Sequence, residues 1–484
     1  MMMASRSSSS FSLYYYSPAT SNVFIPLSLI YTCVAHLWLY LRHGRSWRDT
    51  LVSELPPPST FNNNTDDNTD DDTDDDTDDD NNKDCYNRRC RSPKIAIVTG
   101  ANTGIGFQTA QTLVVQYGYH VILACRSKDK ALQAQQQIST IAASSAATTT
   151  KTTTSSTNIG RAIVLDTILD LSDVTSIEEF VQEVDQTYGD NGGIDVLINN
   201  AGRNTTGELL TTNSKATTSS ATTTTKNPAT ANDLSLDLMF VSNYLGHFLL
   251  TKLLLERNLL KRDETNDTHQ HKVILNVSSV MHHFISSDND CTNRIASSSL
   301  HDHSQYQYWK SRAHFGTAQT RPDVYSATKL AAILHAMELN RRYSQSHGIY
   351  AMAVNPGAVN SDIWRGFPNW IRAVFQRVYL TTQQGSAPLV AGAVLGDEWR
   401  KRNVLYLQPY WNPLSQILSS PSSTSSTTDN TPMLPFTEML GPYVGFAPTM
   451  ARLPHNDGGL EAAAILWQAS DDLIGNVWVG SKEW

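Results

Sequence analysis

The sequence predicts an α/β protein: a single doubly wound parallel sheet with helices on both faces. Three observations carry that prediction. Short apolar runs rich in β-branched residues recur at Lys94–Thr99, His120–Ala124, Ala162–Leu165 and Ile194–Ile198, as expected of strands buried on both sides. Helical patterns separate these runs, and strand–helix alternation builds a parallel sheet. The first run ends in a glycine-rich turn, TGANTGIG from Thr99 to Gly106, and a helical pattern follows through Val115.

Before the first strand the chain is not domain-like. Residues 1–22 are Ser-rich and free of acid, the character of a disordered or targeting segment. Residues 23–41, VFIPLSLIYTCVAHLWLYL, are about long enough for a transmembrane helix, with Trp38 and Tyr40 where interfacial aromatics are expected. Arg42, Arg45 and Arg48 follow directly, so the positive-inside bias puts the following domain on the cytosolic face. The expectation is a membrane anchor at the endoplasmic reticulum; a plastid or mitochondrial presequence is the alternative reading. Residues 42–92 form a linker, basic at first and then rich in Asp, Asn and Thr, too polar to order itself. Phe61 to Asp84 hold twelve Asp and one Lys, so the net charge of -9 falls to +2 for the remainder.

The domain is expected over 93–484, with flexible insertions near 139–159, 211–231, 283–322 and 412–437. No basic stripe with interleaved aromatics points to nucleic acid. The cysteines at 33, 85, 90, 125 and 291 fit neither a disulfide framework nor zinc-ligand spacing.

The glycine turn has the strand before it and the helix after it that dinucleotide binding requires. Gly100 permits the tight turn, Gly104 lets backbone approach a pyrophosphate, and Gly106 lets the helix pack close to the strand. Asn102, Thr103 and Ile105 complete the turn, whose helix N-terminus faces the phosphates with free N–H groups. Arg126, just past the second strand, suits a ribose 2′-phosphate where an acidic residue would suit a free hydroxyl, so NADP(H) is favoured over NAD(H). Asp170 and Leu171 follow the third strand and are candidates to meet the adenine. Asn199-Asn200-Ala201-Gly202 ends the fourth; small residues there leave room for the cofactor, while the Asn side chains can brace neighbouring strands. The whole reads as a Rossmann-type sheet.

Further along stand NVSS (276–279), YSATK (325–329) and NPG (355–357). Tyr325 and Lys329 are four residues apart, so both project from one helix face. A tyrosine acting as general acid/base needs its proton affinity tuned toward working pH, and an adjacent ammonium favours the phenolate. One serine of the Ser278-Ser279 pair could hold and polarise a substrate oxygen.

With TGANTGIG and NNAG (199–202) these motifs occur in the order seen in short-chain dehydrogenases/reductases, and the chain resembles that family. ACRS (124–127), DLSDVTSIEEF (170–180), NYLGHFLLT (243–251), TTQQGSA (381–387) and LWQASDDLIG (466–475) look most like its retinol dehydrogenase and WW-domain oxidoreductase branch. The resemblance covers about 94–475. It implies an enzyme in which Ser279, Tyr325, Lys329 and Asn243 are catalytic, Asn243 fixing a water in a proton relay through Lys329. It also implies cofactor contacts from Tyr325, Lys329, Asn200, Ala201, Gly202, Pro356, Gly357 and Ser361, the last standing where the family usually has Thr.

Two segments depart from that pattern or vary within it. His282 to Asp323 lengthens the stretch between Ser279 and Tyr325. Its histidines match no metal-ligand spacing, so no metal is expected, and the segment reads as lining or covering the substrate pocket. Trp364, Phe367, Pro368, Trp370, Ile371, Val374 and Phe375 form an apolar stretch that reads as a substrate lid, as a surface dipping into a membrane, or as a plain core helix. The expected activity is NADP(H)-dependent interconversion of a carbonyl and an alcohol on a hydrophobic small molecule, retinoid-, steroid- or fatty-aldehyde-like. The alternatives are a protochlorophyllide-type double-bond reductase, for which Cys291 is poor support, and a vestigial cofactor-binding scaffold, against which the intact Ser279, Tyr325, Lys329 and Asn243 argue. A homo-oligomer is compatible with the sequence.

Overall fold

The structure, a computed structural model, describes residue 55 and residues 93–149, 160–204, 209–211, 235–262, 271–283, 306, 309–310, 313, 321–364, 369–410, 445–449 and 459–478. In chain order these form β1 (Ile95–Thr99), α1 (Gly104–Tyr117), β2 (His120–Ala124), α2 (Lys128–Thr149), β3 (Arg161–Ile163), α3 (Val174–Tyr188), β4 (Val196–Asn199), β5 (Leu209–Thr211) and β6 (Ser235–Asp237). Then come α4 (Leu238–Glu256), β7 (Lys272–Val277), α5 (Arg321–Tyr343), β8 (Ile349–Val354), α6 (Asn369–Val378), α7 (Thr382–Val394), α8 (Gly396–Lys401), β9 (Tyr406–Tyr410), β10 (Gly445–Thr449) and α9 (Leu460–Leu473).

The main sheet runs β10-β9-β8-β7-β4-β1-β2-β3. Its seven strands from β9 to β3 are parallel, as predicted, and the strand order reverses between β1 and β4. The predicted sheet lacked two features: β10 pairs antiparallel to β9 at one edge, and β5 and β6 make a separate two-stranded ribbon.

The pleat explains the two layers. Along β1, Ile97 faces one apolar cluster while Ala96 and Val98 face the other. The first cluster takes in α3, α4, α5 and α9; the second takes in α1, α2, α7 and α8. In α3 the buried residues Ile177, Phe180, Val181 and Val184 share one face, and Asp173 caps its start by accepting from Thr175 N–H. Helix α4 is long and apolar enough by composition to cross a membrane, yet 89% of its apolar window is buried. It is a core helix, and it contains one π turn, Val241–Leu245.

Three insertion readings meet the structure. Residues 139–149 were expected in a flexible insertion, but α2 continues through Thr149; alanines with good helix propensity and Ile138 and Ala142 packed inward hold its start. In the 283–322 stretch, Trp309 and Ala313 are buried in the core, and the Tyr306 hydroxyl donates to Asp472 in α9. Helix α6 is not a plain core helix, since Trp370 is 72% exposed. The anchor at 23–41, the linker at 42–92 apart from Leu55, which packs against the second cluster, most of 211–231, and all of 412–437 lie outside the described residues.

Candidate active site

The carboxyl ends of β1, β4, β7 and β8 converge where the strand order turns. At β1, Gly100 and Gly104 adopt φ of +66° and +62°, the left-handed region that glycine enters freely. A Cβ on Gly106 would lie 2.6 Å from the Gly100 carbonyl oxygen and would collide with the Asn200 side chain, so α1 packs onto the β4 loop only because that residue is glycine. A Cβ on Gly104, by contrast, would meet nothing closer than 3.9 Å, at Ser361.

The first turn of α1 is left open. Thr103, its N-cap, makes no capping bond and donates instead to Asp362 Oδ2 at 3.1 Å. This draws Ser361 and Asp362 over the turn, while Ile105 packs on Val359 and Leu380. Asn102 is partly buried. After β8, Asn355 Oδ1 accepts from Gly357 N–H at 3.0 Å and so shapes the Asn355-Pro356-Gly357 bend. Cys125 lies under the turn, its sulfur accepting from Ala101 and Asn102 N–H, and burial pushes the thiol up to about 11.

Arg126 stands exposed beyond β2, on the rim beside the turn, where Gly100 N–H donates to Ala124 O at 2.8 Å. Asp170 and Leu171, whose carboxylate and backbone are the expected adenine contacts, follow β3. Asp170 Oδ1 accepts from Ser172 N–H and Oγ at 2.9 and 2.6 Å, and the Leu171 side chain is buried in the core.

On the other side of the switch point the site is polar, with Ser278, Asn243 and Lys329 buried and Ser279 and Tyr325 half-buried. Lys329 is buried; its Nζ donates to Val277 O at 3.0 Å and lies 5.4 Å from the Tyr325 ring centre. Burial pushes the Lys329 ammonium down to about 8. Burial pushes the Tyr325 phenol up to about 12, against the pull of its hydrogen bond with Ser279. The two serines of NVSS divide plainly: Ser278 is buried and donates to Lys329 O at 2.7 Å, which leaves Ser279 as the one facing Tyr325.

Asn243 sits in the π turn, an irregularity common at functional sites. Its side chain clamps the NNAG loop, Oδ1 accepting from Arg203 N–H at 2.7 Å and Nδ2 donating to Arg203 O at 2.9 Å. A Cβ on Gly202 would lie 3.5 Å from Asn243 Oδ1 and 3.9 Å from Lys329 Nζ, so these groups share one corner. Asn199 braces β4 to β7 by donating to Asn276 Oδ1 at 2.9 Å, the bracing anticipated for this loop.

Sequence reasoning passed over Thr99 and His247. The Thr99 hydroxyl accepts from Asn200 and Ala201 N–H, both at 2.9 Å, and lies 2.8 Å from His247 Nε2. His247 is four residues past Asn243 on α4; that spacing was the available signal.

The profile of the short chain dehydrogenase family matches residues 94–285. Human retinol dehydrogenase 11 is 33% identical over 295 residues, covering 60% of this chain and 70% of that protein. Human retinol dehydrogenase 12 is 29% identical over 346 residues, 67% of this chain and 86% of that protein. The WW domain-containing oxidoreductase of Gallus gallus is 29% identical over 311 residues, 63% and 59% of the two chains.

Proposed function

From the premise that the chain belongs to the short-chain dehydrogenase family, on its retinol dehydrogenase side, and is an oxidoreductase, we propose that it interconverts a carbonyl and an alcohol on a hydrophobic small molecule using NADP(H). The observation that carries this reading is the convergence of Ser279, Tyr325 and Lys329 at the carboxyl end of β7, beside the small-residue loop at Gly202.

The residues fit the cofactor. The open first turn of α1 offers unspent N–H groups to a pyrophosphate, and the space at Gly104 is what a side chain would fill. Arg126 is the candidate partner of a 2′-phosphate. A nicotinamide held here would supply or accept the hydride at the substrate carbon. In the reducing direction Ser279 Oγ holds the carbonyl oxygen and Tyr325 gives it a proton. A phenol pushed up to about 12 is the protonated form that reduction consumes. The Lys329 ammonium, fixed by Val277 O, then steadies the phenolate that remains. Asn243 keeps the Gly202–Arg203 loop against Lys329.

The apolar helix α6, with its exposed Trp370, is the candidate lid, and the apolar segment at 23–41 is the candidate anchor holding this site at a membrane that stores such substrates. The test is a screen of the full chain with all-trans-retinal, a steroid ketone and a long-chain aldehyde, each with NADPH and NADH. Oxidation of NADPH with at least one of them, lost in Tyr325→Phe, is expected. Turnover undiminished in Tyr325→Phe would refute the mechanism, and no turnover of any would refute the substrate class.

A further inference from the structure

His247 is 3% exposed and none of the chemistry above uses it. Its tautomer can be read from hydrogen-bond valence. A threonine hydroxyl has one proton to give and room for two to accept. Both acceptor positions of Thr99 Oγ1 are filled, by Asn200 and Ala201 N–H at 2.9 Å. Its own proton therefore goes to His247 Nε2 at 2.8 Å or to Ile198 O at 3.3 Å; the Asn200 N–H is divided between Thr99 Oγ1 and Ile198 O, so distance decides, and at the other ring nitrogen the Asn243 carbonyl can only accept. The closer, unshared acceptor is His247 Nε2.

That leaves Nδ1 as the protonated nitrogen, and Nδ1 lies 3.3 Å from the backbone carbonyl of Asn243. The opposite tautomer would aim an N–H at an oxygen already holding two, and a lone pair at a carbonyl lone pair. We propose that His247, locked as the neutral Nδ1–H tautomer between Thr99 and the Asn243 carbonyl, is a positioning residue for the proton-transfer corner. It ties the end of β1 to the π turn, and the π turn carries the Asn243 side chain that clamps Arg203 beside Gly202 and Lys329. Burial, with the Lys329 ammonium beside it, keeps His247 neutral against the pull of its bond to Asn243 O, and burial holds the neighbouring His335 neutral as well.

The inference rests on the proposed function for its catalytic consequence but not for its geometry, so the test has separable arms. In the full chain labelled with 15N-histidine, the resonances absent from His247→Asn should show Nδ1 protonated and no titration between about pH 5 and 8. Hydrogen exchange across 200–204 should quicken in His247→Phe and return toward wild type in His247→Asn, whose amide can restore the donor to Asn243 O. With all-trans-retinal and NADPH, kcat should fall about 10- to 100-fold in His247→Phe at little-changed KM, with partial recovery in His247→Asn. A protonated Nε2, or exchange at 200–204 unaltered in a folded His247→Phe, would overturn the proposal. If Tyr325→Phe abolishes turnover while His247→Phe keeps wild-type kcat, the positioning role fails and the proposed function stands.

Discussion

The two sides of the strand-order switch present opposite chemistry. Around β1 the candidate cofactor surface is made by what is missing: glycines at 100, 104 and 106, an uncapped helix start, and side chains turned away to brace one another. Around β7 and α5 the surface is made by what is buried: Ser278, Lys329, Asn243 and His247, polar groups taken out of water and each given a named partner. A flat, charged dinucleotide needs backbone donors and close approach, whereas proton transfer needs a few groups with displaced proton affinities held still. Substitutions on the first side should therefore alter binding or packing, and on the second side rate.

Tyr325→Phe puts the sharpest strain on that contrast. Turnover should fall by about 10²- to 10⁴-fold, the usual loss when a positioned general acid/base is removed, while the Kd for NADPH stays within about threefold. Steady-state kinetics beside fluorescence titration of NADPH checks both. Parallel losses in rate and binding would mean that the two sides are not separable.

The glycines sharpen the comparison within the first side. Gly106→Ala forces a Cβ into Gly100 O and the Asn200 side chain, and should cost about 2–3 kcal/mol in urea unfolding. Gly104→Ala has open space but sits at φ +62°, so it should cost only about 1 kcal/mol while weakening NADPH binding. If Gly104→Ala binds NADPH like wild type, the cradle is not where the open first turn of α1 puts it. A smaller effect is expected at the rim: Arg126→Asp should raise the Kd for NADPH by about 10- to 100-fold and leave NADH nearly unchanged. Equal losses would remove the 2′-phosphate role.

The first side was the more legible in sequence, and the reason is physical. A glycine turn between a strand and a helix is a local pattern, and β1, β2 and β4 fell within a residue or two of their predicted runs. Tyr325 and Lys329 were legible too, because one helix turn sets their spacing. The buried network was not: Thr99 and His247 are 148 residues apart and meet only once the sheet has formed. Ser279 was preferred to Ser278 only by its position in the family motif; the physical distinction is that Lys329 O claims Ser278. The adenine role read for the Asp170 carboxylate and the Leu171 backbone stays a proposal, with Asp170 Oδ1 already accepting from Ser172.

Lys329 offers the subtlest test, because its burial works against the fold. Its proton affinity is lowered from 10.5 to about 8, so between those values the unfolded chain binds more protons than the folded one. Stability of the cofactor-free protein therefore rises with pH through that window, and the full cost, about 3 kcal/mol, applies below pH 8. Tyr325 acts only above pH 10, and with the opposite sign, since its folded value is raised to about 12. Lys329→Met removes the buried charge and forfeits the bond to Val277 O, itself worth about 1 kcal/mol. The variant should thus be about 2 kcal/mol more stable than wild type in urea at pH 7, with the advantage gone by pH 10, while turnover collapses. A variant less stable at pH 7 would mean that Lys329 is a structural support rather than a charge kept at a cost for chemistry.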